Sequence, residues 1–108
     1  GILSGKFLTG EAHPNARIKL FPQYTRYSSA QSTEATRLYQ EIAAKNKLTL
    51  TELSLAFIDQ QPFVTSTIIG ATSLEQLKEN INTIQVSLSD EILKAIDEVQ
   101  TIIPDPAP

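Results

Sequence analysis

Apolar residues recur at helical spacing in four stretches of this chain, and a hydroxyl residue opens each one. Ser28 with Gln31 three positions on reads as a capping box, and Ala35, Leu38, Ile42 and Ala43 follow on one face, which predicts a helix from about Ser29 to Lys45. Lys45-Asn46-Lys47 closes it, with cations at the negative end of the helix and an asparagine able to adopt a left-handed cap. Thr49 with Glu52 repeats the box ahead of Leu50, Leu53, Ala56 and Phe57, a stripe broadened by Leu55 and Ile58 that must stop before Pro62. A mostly buried helix from about Leu50 to Gln60 is expected. Ser73 with Gln76 starts a third helix carrying Leu74, Leu77, Ile81 and Ile84 on one face. Ser89, followed by Asp90 and Glu91, starts a fourth with Ile92, Leu93, Ile96 and Val99.

Between the second and third helices the period changes. Val64-Thr65-Ser66-Thr67-Ile68-Ile69, β-branched at nearly every position and ended by Gly70, reads as a short interior strand. Residues 1–27 lack a clear period and read as a long loop of the kind that covers a binding site. The tail 104–108, rich in proline, can be neither helix nor paired strand and should trail across a surface. A single strand cannot satisfy its own backbone hydrogen bonds. Its ladder partners must therefore lie in a longer chain, in the N-terminal loop or in another copy.

The chain's 108 residues allow one structural unit, and 41% hydrophobic with 19% charged residues is a globular composition. A net charge of −3, with basic residues scattered singly, offers no footprint for nucleic acid. No apolar run is long enough to cross a bilayer, and a cytoplasmic location is expected. Cysteine is absent and His13 is the only histidine, so neither a thiolate nor a histidine metal cluster can be built from this chain. His13, in a proline-flanked loop, is expected to be exposed and non-catalytic. Methionine is absent and the chain opens Gly1-Ile2-Leu3-Ser4, which leads to the expectation of a piece of a longer polypeptide.

The most specific local feature is Ile68-Ile69-Gly70-Ala71-Thr72-Ser73-Leu74-Glu75-Gln76-Leu77-Lys78-Glu79-Asn80, a strand running through a small-residue turn into a helix start. Unpaired N–H groups and the positive dipole end favour an anion there, and Gly70 would let a phosphate approach the main chain. Thr72 and Ser73 add hydroxyl donors, while Gln76, Glu79 and Asn80 could grip a sugar or a purine edge. The same turn also serves elsewhere as plain helix capping.

The string I-I-G-A-T-S-L-E-Q-L-K-E-N-I resembles the adenosine-phosphate turn of aldo-keto reductases, especially the branch of potassium-channel β subunits and Tas-like reductases. Gly1-Ile2-Leu3-Ser4-Gly5-Lys6-Phe7 is similar to that family's segment after the seventh barrel strand. Pro14-Asn15-Ala16-Arg17 falls at its loop arginine, Leu53-Ser54-Leu55-Ala56-Phe57 at one helix, and Leu88-Ser89-Asp90-Glu91 at the start of the last. Arg26-Tyr27-Ser28 and Pro106-Ala107-Pro108 also resemble the Tas-like members.

The resemblance implies an α/β fold class, the C-terminal fragment of a (β/α)8 TIM barrel, mostly helical in isolation with one or two short strands. Within it, 1–27 would be a cofactor-covering loop, 28–61 two helices, 64–69 a barrel strand, 73–103 two helices and 104–108 a tail. It also implies an NADP cofactor and a small carbonyl substrate in the parent enzyme. By position, Leu3, Ser4 and Lys6 match residues near the cofactor pyrophosphate, and Arg17 matches the loop arginine over the adenosine end. Gly70, Thr72, Gln76, Glu79 and Asn80 match the turn and helix around the adenine and 2′-phosphoribose. Other branches carry cations at the positions of Gly70 and Gln76, so a preference for NADP over NAD is less secure here. The family's Asp, Tyr, Lys and His of hydride transfer lie in the first half of the barrel, and none of Tyr24, Tyr27 or Tyr39 sits in the corresponding motif. The chain alone is thus expected to be non-catalytic, with no metal site. In an isolated copy the strand is expected to pair with another copy or to stay exposed as an aggregation risk. A second reading stays open: a small helical module whose apolar stripes bind a protein partner.

Overall fold

Hydroxyl caps divide this protein into its helices. The computed structural model describes residues 1–10, 12, 14–23 and 25–108; the expectations for His13 and Tyr24 lie outside the described residues. The helices are α1 (Arg17–Leu20), α2 (Ala30–Lys45), α3 (Leu50–Asp59), α4 (Leu74–Asn82) and α5 (Asp90–Ile102), with 3-10 turns at Ile2–Ser4, Thr25–Tyr27 and Thr83–Gln85. Among the described residues, the expected loop over 1–27 therefore contains two short turns and a single-turn helix.

Thr49 makes the full capping box. Its Oγ1 accepts from the Glu52 N–H at 3.1 Å, and its own N–H donates to Glu52 Oε2 at 2.7 Å. Ser73 and Ser89 accept from Gln76 N–H and Ile92 N–H in the same way. The first box falls one residue later than the pattern predicts. Ser28 N–H closes the preceding turn onto Thr25 O, so Ser29 becomes the N-cap and accepts from Ser32 N–H.

The end of α2 also differs from expectation. Asn46 keeps near-helical angles because its side-chain amide donates to Ile42 O at 2.8 Å, and Lys47 makes the left-handed step at φ 58°. Lys47 N–H then reaches Ala44 O and Leu48 N–H reaches Ala43 O, the paired bonds of a Schellman ending.

The core lies between α2, α3 and α5. Ala43, Leu50, Leu53, Ala56, Leu88, Ile92 and Ile96 are buried together, with Tyr39, Ile42, Leu48 and Phe57 packed against them. Small residues at Ala43 and Ala56 allow close helix approach, and each fully buried leucine contributes about 1.5–3 kcal/mol. The Gln60 amide ties the end of α3 to the start of α5. It accepts from Leu88 N–H at 2.6 Å and donates to Leu88 O at 3.3 Å. Helix α3 itself is only half buried, since Ile58 and Asp59 reach solvent where a mostly buried helix was expected. Partial burial pushes the Tyr39 phenol above its ordinary pKa, and the Asp97 charge adds to the shift.

The expected strand is not formed. Val64–Ile69 runs without a ladder, and no strand occurs among the described residues. Among the described residues no other strand offers it an edge, and Ile68 is 98% exposed. Helix α4 likewise buries none of its residues. Leu74 and Ile81, and Ile84 just beyond, are exposed on the face that the pattern marked as apolar.

Candidate functional site

The turn from Ile69 into α4 and the N-terminal 3-10 turn together line a cleft of about 560 Å³. Leu3, Ser4 and Lys6 line it together with Ile69, Gly70, Gln76, Glu79 and Asn80, and α3 adds Thr49, Thr51 and Ser54 near its start. Residues more than sixty positions apart thus share one opening. The N-terminal wall is shaped by Gly5, whose buried backbone adopts φ 77° and closes the turn onto Ile2 O. A side chain there would be strained whatever space it found.

Two expected residues stand apart from this cleft. Thr72 sits at its margin, where its N–H and hydroxyl both donate to Gln76 Oε1, at 2.9 and 3.1 Å. Arg17 lines a second cleft of about 460 Å³ beside Ile2, Phe7, Ile18 and Tyr27. Leu3 and Lys6 line both clefts, so the two openings adjoin.

The side chains expected to grip a ligand are partly committed to the protein. Gln76 Oε1 holds Thr72, Asn80 Nδ2 donates to Gly70 O at 3.2 Å, and Glu79 Oε1 accepts from Thr49 Oγ1 at 2.9 Å. These bonds brace the Gly70 turn against α4 and tie α4 to the cap of α3. They leave Gln76 Nε2, Glu79 Oε2 and Asn80 Oδ1 for a further partner. Gly70 has an ordinary φ, and a Cβ added there would meet nothing within 4 Å. The backbone therefore does not require glycine at this position, and the open space lies on the turn itself.

Charge is divided across the cleft. Lys6 Nζ lies 5.4 Å from the Phe7 ring centre, and among the described residues no carboxylate pairs with it. The first turn of α4 presents N–H groups without intrahelical partners, but it also carries the Glu75 carboxylate, which competes with an incoming anion for the helix dipole. Sequence reasoning missed Thr49, Thr51 and Ser54 as cleft residues. Thr49 was legible only as a cap, and nothing in its neighbourhood signals that the cap faces a turn twenty residues further on. Among the described residues no group of His, Asp or Glu could hold a metal ion, and no helix is long and apolar enough to cross a membrane.

Comparison with known proteins adds to this geometry. The profile of the Aldo/keto reductase family matches residues 1–101. Protein tas of Escherichia coli (strain K12) is 42% identical over 108 residues, which is all of this chain and 31% of that protein. An aldo-keto reductase of Babesia bovis is 37% identical over 91 residues, covering 82% of this chain and 32% of its own length. A putative voltage-gated potassium channel subunit beta of Schizosaccharomyces pombe is 31% identical over 110 residues, covering 96% of this chain and 32% of its own length. The chain spans about a third of the length of these curated relatives.

Proposed function

The chain belongs to the aldo/keto reductase family, and from that premise we propose that it forms the nucleotide-binding part of an oxidoreductase. The cofactor is NADP and the substrates are small carbonyl compounds, within a (β/α)8 barrel of the cytoplasm completed by chain beyond these residues. The observation that carries this reading is the shared cleft, where Lys6 and its turn meet the Gly70 turn and the first turns of α4.

The residues present fit a dinucleotide. Lys6 supplies an ammonium for the pyrophosphate, Ser4 and Leu3 shape the turn beside it, and Arg17 reaches the same ligand from the adjoining cleft. The open space at Gly70 admits a bulky group against the main chain. The uncommitted atoms of Gln76, Glu79 and Asn80 offer donors and acceptors for adenine and ribose, while Thr72 keeps Gln76 in place. When bound, the nicotinamide supplies the hydride. The part played by this chain is to hold and orient the adenosine half, and it contributes no proton donor. The unladdered β-branched segment 64–69 suits a strand that gains its neighbours from the rest of a barrel.

Titration of NADPH and 2′,5′-ADP against Gly70→Glu in the full-length protein tests the reading. The fold tolerates the change, so circular dichroism stays as in wild type, while the carboxylate fills the space at the turn and weakens both ligands about tenfold or more, equivalent to at least 1.4 kcal/mol. Wild-type affinity in that variant defeats the proposal. Parallel titration with NAD decides the cofactor preference.

The exposed apolar band favours a second reading, a helical module that binds another protein or its own copy. Phe63, Ile68, Leu74, Ile81 and Ile84 are all uncovered. Sedimentation of the 108-residue chain separates the two readings: a defined dimer that binds no nucleotide supports the module.

A further inference from the structure

The proline-rich tail is held by its carbonyls. Pro104, Pro106 and Pro108 have no N–H, so this segment can accept hydrogen bonds far more readily than it can donate them. Side chains from three places supply the donors. Gln100 Nε2 donates to Pro104 O at 2.7 Å, Ser29 Oγ to Pro106 O at 3.1 Å, and Arg26 Nε to Ala107 O at 2.6 Å. The last two bonds span 77 and 81 positions, joining the final residues to the turn and cap that precede α2. Pro106 and Ala107 are half-buried in consequence.

That turn is held without a buried residue of its own. In this single 3-10 turn, Thr25–Tyr27, Ser28 N–H donates to Thr25 O at 2.9 Å. Its Arg26 guanidinium lies 5.7 Å from the Tyr27 ring centre, and Tyr27 lines the second cleft together with Lys6 and Arg17. Between the folded core and that wall, the tail supplies a direct charge-assisted bond.

We infer that residues 104–108 act as a strap. They fix Arg26, and through it the Tyr27 wall, against the start of α2, so that Arg26 is a positioning residue whose effect on the cleft depends on the tail. The strap does not rest on the nucleotide reading, because its first readout is the local stability of the turn.

The test is native-state hydrogen exchange on the full-length protein with Arg26→Ala, with residues 106–108 deleted, and with both changes. Each single change is expected to raise amide exchange in residues 25–29 about tenfold, while α3 amides keep their wild-type protection. The double variant is expected to exchange no faster than the deletion alone, because the deletion already removes the Arg26 bond along with the one from Ser29. Unchanged exchange in the turn, an equal loss of protection in α3, or effects that multiply in the double variant overturns the inference. As a second readout, the rate of tryptic cleavage after Arg26 rises in the deletion variant, whereas cleavage after Lys45 does not. Equal acceleration at both sites also overturns it.

Discussion

Helices α3 and α4 open on the same device, a hydroxyl N-cap bonded to the third helical N–H, and both carry an apolar stripe. Yet Leu50, Leu53 and Ala56 of α3 are buried, whereas α4 buries nothing and Leu74 is 61% exposed. The difference lies in what each stripe meets. Helix α3 finds α2 on one side and Leu88, Ile92 and Ile96 on the other, all within this chain. The stripe of α4 and the extended segment before it face outward. Amphipathic pattern therefore reports that a face is built to be covered, but the covering partner must come from somewhere, and for α4 these residues do not supply it.

Breaking the covered side should have the largest effect. Leu53→Ala leaves a cavity among closely packed neighbours and is expected to lower unfolding free energy by about 2–5 kcal/mol, read from the urea midpoint. A smaller effect is expected where the two regions join. Thr49→Ala removes both the α3 cap and the bond to Glu79, for a loss of about 1 kcal/mol; α4 amides should exchange faster in the same variant. The opposite sign is expected at the end of α2, where Lys47→Gly relieves the left-handed backbone and raises stability by about 0.5 kcal/mol net of the entropy that glycine adds to the unfolded chain.

On the uncovered side the effect should nearly vanish. Ile84, 80% exposed, is replaced by serine with a change within about 0.5 kcal/mol in the 108-residue chain. A loss as large as that for Leu53→Ala would show that the turn after α4 is covered after all. The smallest effect concerns pH. The bond from Arg37, together with its charge, holds the exposed Glu34 carboxyl below its ordinary 4.5. A carboxyl lowered in the folded state stabilises above its unfolded pKa and loses that contribution as pH falls through the folded value. Glu34→Gln should therefore remove a small contribution at neutral pH and leave stability unchanged once pH falls below the folded value, which flattens the acid side of the stability curve.

Much of the candidate site was legible before the fold. The spacing of Gly70, Ser73 and Gln76 marks a turn into a helix start, and the turn stands there with Ser73 as its cap. That Lys6 would face it was implied only by family resemblance, since no local pattern links positions so distant. The cleft role of Thr49 and the partial commitment of Glu79 were not legible at all. They follow from α3 and α4 lying side by side, which neither helix states.

Local chemistry alone fixes where this chain turns helical. Side-chain oxygens at Ser29, Thr49, Ser73 and Ser89 satisfy N–H groups within three residues, and such bonds need no distant partner. The one-residue shift to Ser29 and the left-handed Lys47 depend on competing bonds a turn away, at the edge of what local reading resolves. Burial is decided at longer range. Whether a stripe becomes core, whether β-branched residues gain a ladder, and which walls enclose a cleft all depend on surfaces brought together by the whole fold, because apolar and backbone groups are stabilised only by what finally covers them.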